Sequence, residues 1–413
     1  MSDKRSFDAV FVGGGVIGLA SAWRAAQRGA KVAVVERSQR PHAGATGVAA
    51  GMLAPVGELA FGERELLELA LRSADLWPGF AAAVEDASGL ETGYERCGAL
   101  HVALDRDEAA QLRRLHDLQR ELGLEAEWLA PRGCRELEPG LTPSFNGGVR
   151  AGSEAAVDPR ALTLALLGAL RASGVEVRSG REVTAGLWDG ERLVGVRTAG
   201  GEEGEAELRA DAVVLCNGAW SGVTEWLPEA ARPPVRPVKG EVLELRTRPG
   251  HEPPARGIIA SERVYLVPRR DGRLVVGATQ EEQGFDTTVT AGGALELLRE
   301  AYRVLPEVAE MELAGAIAGL RPGTPDNLPR IGPGAVDGLV LATGHFRNGI
   351  LLAPLTADAV AATLAGDRAT LADESWLSFL WDGRRNDNHS GDGRRKDNHS
   401  AGAGVGRASE VAR

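Results

Sequence analysis

The stretch FDAVFVGGGVIGLASAWRAAQRGAKVAVVE, residues 7–36, decides the fold of this chain. It reads as an apolar strand, a glycine turn, a helix over residues 16–28 and a second apolar strand that ends in an acid. Gly13, Gly15 and Gly18 match the spacing G-x-G-x-x-G. This order of elements around that spacing predicts a βαβ unit that binds a dinucleotide, rather than a glycine-rich turn without a ligand.

The glycines and the acid of this unit each have a physical role. Gly13 permits the tight turn, Gly15 lacks the Cβ that would block a diphosphate, and Gly18 lets the helix lie close to the strand. The N–H groups at the helix start and the helix dipole attract the phosphates. Glu36 is placed to accept hydrogen bonds from a ribose, and its charge would repel a 2′-phosphate. The motif therefore predicts an unphosphorylated adenosine end and leaves FAD and NAD both open.

Composition and charge limit the classes of protein to which this chain can belong. The chain has 413 residues, 43% of them hydrophobic and 25% charged, which is typical of a globular enzyme with two domains. The net charge of -11 argues against nucleic acid or an anionic membrane as a partner, and no apolar run approaches the ~18 residues of a membrane helix. Cys97, Cys134 and Cys216 are scattered and indicate a reducing compartment. Residues 1–6 are too polar for a signal peptide, so we expect a cytoplasmic protein.

Two types of strand alternate along the chain. Apolar runs of the parallel type recur at 212–216 and 339–343, whereas 240–246, 264–268 and 274–279 suit an antiparallel sheet. We predict an α/β fold in which a Rossmann-like dinucleotide domain, built from discontinuous pieces, carries an inserted antiparallel-sheet substrate domain. The predicted limits are 1–88, 149–232 and 319–381 for the dinucleotide domain, 89–148 and 233–318 for the substrate domain, and 382–413 for a tail.

Three further segments carry structural expectations. Residues 44–53 run almost without side-chain bulk, which favours close approach to a large flat ligand over a plain flexible loop. A helix is predicted over 63–77, with Pro78 ending or kinking it. Residues 383–390 recur almost unchanged as 393–400 without an apolar side chain. The tail is therefore predicted to be disordered, and a metal site in its Asp-Asn-His repeats is the weaker reading.

The segment GHFRNGI, residues 344–350, lies between a predicted parallel strand and a helix that begins near residue 350. A helix N-terminus at this place is a second position that favours an anion. Flavin that has accepted a hydride is an anion, whereas nicotinamide enzymes have no such need. This segment therefore favours FAD over NAD.

Six motifs stand in order between residues 49 and 354. They are AAGML at 49–53, PVKGE at 237–241, VYLVPR at 264–269, GRLVVGAT at 272–279, GLRPGTPD at 319–326 and GHFRNGILLAP at 344–354. Together they resemble the FAD-dependent glycine oxidases that serve thiamine biosynthesis, within the D-amino-acid oxidase family. The resemblance covers residues 7–370.

The resemblance implies which residues form the site. Arg321 and Arg347 would clamp the carboxylate of an amino acid, since a guanidinium fork matches a carboxylate, and Tyr265 would close the pocket. Sarcosine oxidases of related fold hold flavin through a late cysteine, but the last cysteine here is Cys216, so noncovalent FAD is expected. The residues implied to bind FAD are Gly13, Gly15, Val16, Ile17, Gly18, Glu36, Arg37, Ala45, Thr46, Ala50, Gly51, Met52, Val183, His345, Phe346, Arg347, Asn348, Gly349, Ile350 and Leu351.

The implied reaction is the FAD-dependent oxidative deamination of glycine to a 2-oxo acid such as glyoxylate, ammonia and hydrogen peroxide. Sarcosine and small D-amino acids stay open as substrates, and Arg263 and Gln280 are placed to shift the preference. Oxygen is the expected electron acceptor. A dehydrogenase of the same fold that serves another acceptor, and an inert flavin-binding subunit, are the alternatives. No metal site is expected, and the resemblance implies a homo-oligomer, which is a tetramer in similar enzymes.

Overall fold

The computed structural model of the chain describes residues 6–201 and 204–367. The predicted tail and its repeat lie outside the described residues. Within them, no helix combines the length and the apolar character needed to cross a bilayer.

The strands and helices follow one another along the described residues. The strands are β1 (Ser6–Val12), β2 (Val32–Glu36), β3 (Met52–Leu53), β4 (Ala99–Val102), β5 (Glu127–Leu129), β6 (Gly148–Ala151), β7 (Ala155–Ala156), β8 (Glu176–Ser179), β9 (Glu182–Asp189), β10 (Arg192–Ala199), β11 (Ala206–Leu215), β12 (Arg236–Arg246), β13 (Ile258–Ala260), β14 (Tyr265–Pro268), β15 (Arg273–Gly277), β16 (Glu312–Gly323), β17 (Arg330–Pro333) and β18 (Leu339–Thr343). The helices are α1 (Val16–Gln27), α2 (Ala45–Val48), α3 (Arg64–Ser88), α4 (Arg106–Glu121), α5 (Pro131–Leu137), α6 (Pro159–Ala172), α7 (Ala291–Val304) and α8 (Ala353–Leu364). Short 3-10 turns occur at Gly218–Val223, Glu229–Ala231, Pro306–Glu310 and Phe346–Asn348.

The first sheet, which we name the nucleotide sheet, contains the predicted βαβ unit. Its strand order is β17-β18-β11-β1-β2-β8, and β10 and β9 extend from β11 as further antiparallel strands. β1 runs parallel to both β2 and β11, and β11 runs parallel to β18. The prediction of parallel strands at 212–216 and 339–343 is confirmed, although β11 ends at Leu215.

Both faces of the parallel strands β1, β2 and β18 are buried, which explains why these strands read as continuous apolar runs. Along β1, Ala9 and Phe11 pack into a core with apolar side chains of α1, α3, α6 and α8. Val10 and Val12 point the other way and pack with apolar residues of β10 and β11. Because successive side chains of β1 point to opposite faces, this strand contributes to the cores on both sides of the sheet.

Helix α3 does not end at Pro78. Of the two expected outcomes, an end or a kink, the end is wrong, because α3 continues to Ser88. Trp77, Phe80 and Val84 are all buried, and the two aromatic rings meet edge to face at 5.5 Å. Burying side chains of this size contributes about 1.5–3 kcal/mol each. Together they outweigh the roughly 3 kcal/mol that an interior proline costs.

The second sheet, which we name the substrate sheet, has the order β16-β12-β15-β14-β13-β4-β6-β5. Its neighbouring strands are antiparallel except for β4 and β13, which run parallel and come from two distant chain segments. Helix α7 covers one face, where Leu297, Ala301 and Val304 join the core of the sheet. The fold is therefore α/β as predicted, while the domain limits stay a prediction.

Ion pairs join the two sheets through the start of α6. Asp158 caps this helix by accepting from the backbone N–H groups of Arg160 and Ala161, as the sequence Asp-Pro predicts. The same carboxylate pairs with Arg273 of β15, and Arg160 pairs with Glu244 of β12 at 2.9 Å. These contacts fix the distance between the two sheets.

Candidate active site

A cavity of about 1100 Å³ lies between the two sheets. The carboxyl ends of β1, β2, β11 and β18 border it on one side, and β12, β14, β15 and β16 border it on the other. The carboxyl ends of parallel strands are where open α/β sheets bind ligands. Ordinary ligand pockets measure about 300–1,000 Å³, so this cavity suits a dinucleotide together with a small substrate.

Three glycines in the turn before α1 and in the first turn of α1 lack a side chain for different reasons. Gly13 has a φ of +116°, and a Cβ there would lie 2.8 Å from the carbonyl carbon of Cys216. A Cβ on Gly18 would overlap the carbonyl group of Gly13. On Gly15, however, the nearest neighbour of a Cβ would be Thr46 Oγ1 at 3.4 Å, an ordinary contact. Packing within the protein therefore does not require Gly15 to be glycine, and its missing side chain leaves the start of α1 open to the cavity.

Glu36 is fixed at the wall of the cavity by main-chain donors. Its Oε2 accepts from the N–H of Gly14 at 2.6 Å and its Oε1 accepts from the N–H of Ser38 at 2.8 Å. Each carboxylate oxygen keeps a further lone pair, so a ribose hydroxyl can still donate to it. The carboxylate is thus preorganised where the sequence predicts an adenosine ribose.

The segment of low bulk at 44–53 is more ordered than a loop. It contains the short helix α2 and strand β3, which pairs with β7. Thr46 of α2 accepts from the N–H of Val16 at 3.1 Å, and Arg269 donates to the carbonyl of Ala50. The segment is therefore a fixed part of the cavity wall, against the reading of a plain flexible loop.

The turn between β18 and α8 also differs in detail from the prediction. The helix begins at Ala353 rather than near residue 350, and a 3-10 turn at Phe346–Asn348 precedes it. The carbonyl of Leu351 accepts from the hydroxyl of Ser73 at 2.6 Å and from the indole N–H of Trp77 at 2.8 Å. These bonds from α3 hold residues 349–352 outside the helix, and the backbone of this turn faces the cavity.

His345 follows the end of β18, and its uncharged imidazole contacts the beginning of α8. Its Nε2 lies 2.9 Å from Thr356 Oγ1, and the side chain is buried. Burial lowers the pKa of His345 to about 3. The imidazole therefore carries no charge at neutral pH and adds none to this end of the cavity.

Two glycines make room for two of the predicted substrate residues. Arg321 donates from Nη1 to the carbonyls of Thr279 at 3.1 Å and Lys239 at 3.3 Å. A Cβ on Gly240 would lie 2.5 Å from the Cζ of Arg321, and one on Gly277 would lie 2.5 Å from the Cζ of Tyr265. Both side chains therefore occupy space that a larger residue on β12 or β15 would fill.

Tyr265 stays protonated in this setting. Burial raises the pKa of its hydroxyl to about 12, and the charge of Arg321 acts on the hydroxyl in the opposite sense. The phenol is therefore a hydrogen-bond donor at any physiological pH. A carboxylate beside Arg321 could accept from both groups.

Arg347 lies at the same cavity and faces a carboxylate that the sequence did not single out. Its Nε is 3.7 Å from Glu58 Oε2, and the two side chains are 36% and 29% exposed. Glu58 also raises the pKa of Tyr265 slightly through its charge, after the larger effects of burial and Arg321. Arg321, Arg347, Tyr265 and Glu58 thus form one group of charged and polar side chains, which we name the polar cluster.

The structure brings nearly all the predicted residues to this one cavity. Of the residues predicted to bind FAD or substrate, all except Gly18 border it, and so do Arg263 and Gln280. Gly18 acts through helix packing, as its position in the motif predicts. Sequence reasoning missed Glu58, His101 and Asn217, which also border the cavity. Only Asn217 had a signal, because it follows directly on a predicted parallel strand.

None of the three cysteines belongs to the polar cluster. Cys216 borders the cavity next to the glycine turn, and burial raises the pKa of its thiol. Cys97 and Cys134 do not border the cavity. Noncovalent attachment of a flavin stays a prediction that this arrangement supports.

Comparison with known proteins gives one family. Residues 8–363 match the family of FAD dependent oxidoreductases. A glycine oxidase of Pseudomonas aeruginosa is 36% identical over 362 residues, which cover 86% of this chain and 94% of that protein. The crystal structure of a glycine oxidase from Geobacillus kaustophilus superposes with a TM-score of 0.80 at 32% identity, covering 88% of this chain and 95% of the other.

Longer relatives also match. The bifunctional protein ThiO/ThiG of Trichormus variabilis is 38% identical over 356 residues, which cover 86% of this chain and 52% of that protein. The chain therefore spans about half the length of the bifunctional relatives it matches.

Proposed function

This chain belongs to the family of FAD dependent oxidoreductases, and we propose that it oxidises glycine, with sarcosine or small D-amino acids as further substrates. The products would be a 2-oxo acid such as glyoxylate, ammonia and hydrogen peroxide, and the reaction would serve thiamine biosynthesis. The observation that carries the proposal is the polar cluster, which shares one cavity with the glycine turn. The similarity to glycine oxidases at 36% and 32% identity supports the same choice.

The residues of the cavity fit FAD. Gly15 leaves the space that a diphosphate fills beside the start of α1, and no packing contact accounts for that space. Glu36 holds its carboxylate at the end of β2, where a ribose would bind. The backbone of residues 345–351 would face the flavin end. Because His345 is neutral, that backbone and the guanidinium of Arg347 would supply the positive potential there.

In the proposed reaction, the protein binds and orients a small amino acid. Arg321 and Arg347 would hold its carboxylate, and the protonated hydroxyl of Tyr265 would donate to the same group. The carbonyls of Lys239 and Thr279 fix Arg321, so the guanidinium is in place before the substrate arrives. Bound FAD supplies the oxidising chemistry for the amine, and the imine product hydrolyses in water. No side chain has to act as a strong acid or base.

The test is peroxide release under air from purified, FAD-loaded protein with glycine, sarcosine and D-alanine. We expect peroxide with at least one of them. Reduction of a dye without release of peroxide would indicate a dehydrogenase. If the protein neither releases peroxide nor reduces the dye, it is an inert flavin-binding subunit.

Arg347→Ala should raise KM for every carboxylate substrate while the protein stays yellow, since losing one desolvated charge pair costs about 2–5 kcal/mol of binding. Cytoplasmic location, oxygen as acceptor and a homo-oligomer stay predictions.

A further inference from the structure

Glu58 is a carboxylate placed among the cations of the polar cluster. It borders the same cavity as Arg321, Arg347, Tyr265 and the glycine turn. Its Oε2 lies 3.7 Å from Arg347 Nε, which is too long for a good hydrogen bond. Within residues 6–201 and 204–367, no side-chain hydrogen bond of Glu58 or Arg347 is formed. Both groups are thus available to a ligand in the cavity.

Buried polar side chains from two other elements hold the turn that carries Glu58. The N–H of Gly57 donates to Glu154 Oε1, and Glu154 is 1% exposed. Gln119 of α4, which is 2% exposed, donates from Nε2 to the carbonyl of Val56 at 3.0 Å. The N–H of Glu58 itself donates to the carbonyl of Ala54 at 3.0 Å. Main-chain contacts therefore fix the position of Glu58 and leave its carboxylate group free to bind.

The charges of the polar cluster match those of an amino acid. Two guanidinium groups and the Tyr265 hydroxyl suit one carboxylate, and the remaining carboxylate of Glu58 suits one ammonium group. A plain carboxylic acid would satisfy the cations and leave Glu58 as a competitor for Arg347. An amino acid can satisfy both.

We propose that Glu58 recognises the amino group of the substrate, so that the cavity selects amino acids over carboxylic acids that lack an amine. The inference rests on the proposed function and assigns Glu58 as the residue that determines this specificity. It also gives the contact between Glu58 and Arg347 a role. In the absence of substrate, the charges of Glu58 and Arg347 neutralise each other. A bound substrate would replace that contact, because its ammonium group would pair with Glu58 and its carboxylate with Arg347.

Glycine and acetate differ only in the amino group and form the matched ligand pair for the test. The Kd of acetate is measured from the change in the visible absorption of the bound flavin. The Kd of glycine is measured from the saturation of flavin reduction without oxygen. In Glu58→Gln we expect the Kd of glycine to rise about tenfold and that of acetate to fall, because Arg347 loses its internal competitor.

The control is Glu68→Gln, which removes the same charge from an exposed pair with Arg64 at 3.4 Å. It should leave both Kd values unchanged. A parallel rise or a parallel fall of the two Kd values in Glu58→Gln would overturn the inference, and so would no change. Glu58→Asp keeps the charge with a shorter side chain and should fall between wild type and Glu58→Gln for glycine. If wild-type protein binds neither ligand, the proposed function fails as well.

Discussion

Gly240→Ala separates the stability of the fold from the geometry of the substrate site. Gly240 lies in the interior of β12, where it pairs with Gly319 of β16. The added Cβ would stand 2.5 Å from both Cζ and Nη2 of Arg321, and these are its nearest neighbours together with Nη1. Ordinary contact begins near 3.4 Å. The guanidinium therefore has to move by about 1 Å, and the backbone does not.

The expected effect on catalysis is large and the effect on stability is small. A misplacement of about 1 Å costs roughly 10²-fold in rate, which corresponds to ~2.7 kcal/mol. The displaced guanidinium also loses its bonds to the carbonyls of Lys239 and Thr279. Replacing glycine by alanine in an unstrained strand restricts the unfolded chain and stabilises by about 0.4–1 kcal/mol. The lost hydrogen bonds and the restricted unfolded chain act on stability in opposite directions. We therefore expect Gly240→Ala to lower kcat/KM for glycine about 100-fold with only a small change of Tm.

The assay is steady-state peroxide release together with thermal unfolding of the FAD-loaded protein. Gly315→Ala on the neighbouring strand β16 is the matched control, because a Cβ there would meet nothing within 4 Å. It should leave both kcat/KM and Tm near the wild-type values. If Gly240→Ala keeps the wild-type kcat/KM, then Arg321 does not act at the position described, and the reasoning is refuted.

Three further predictions test other parts of the cavity. Gly15→Ala should fold with an unchanged Tm of the apoprotein but lose FAD, measured by absorbance after gel filtration, because its Cβ fits the protein but enters the space of the diphosphate; retained FAD would contradict the diphosphate site. His345 has a folded pKa of about 3 against 6.5 when unfolded, so the free energy of unfolding should fall by about 1.4 kcal/mol per pH unit as pH drops between these values. Denaturant titrations of His345→Gln should lack that part of the slope. Lys239→Met should lower Tm, because it removes the cation 2.9 Å from the fully buried carboxylate of Glu241, and breaking a buried pair in this way costs about 3–5 kcal/mol; an unchanged Tm would refute it.

The parts of the site that sequence alone predicts are those formed by local chain geometry. The spacing of Gly13, Gly15 and Gly18 specifies a turn, and the apolar runs on both sides specify parallel strands. The roles of Arg321 and Arg347 are expected only because the motifs around them resemble those of glycine oxidases. Their residue types also match a carboxylate.

The parts that the sequence did not predict depend on long-range packing. Glu58 has no motif, and it reaches Arg347 because Gln119 and Glu154, 63 and 97 positions from their partners in the turn, fix that turn. Pro78 is tolerated in α3 because its neighbours are buried by helices far away in the chain. The delayed start of α8 likewise depends on donors in α3. A propensity or a local pattern contains none of this information.

The hydrogen bonds from α3 to the carbonyl of Leu351 have a consequence for biosynthesis. Ser73 and Trp77 are translated 278 and 274 positions before the acceptor that they need. During synthesis on the ribosome, the indole N–H of Trp77 has no access to this acceptor until residue 351 has been added. The wall of the cavity at residues 345–351 closes only then, so the nascent chain cannot acquire a complete cofactor site early. We expect uptake of the flavin to follow synthesis of residues 345–351, and fragments that end before residue 351 to remain colourless.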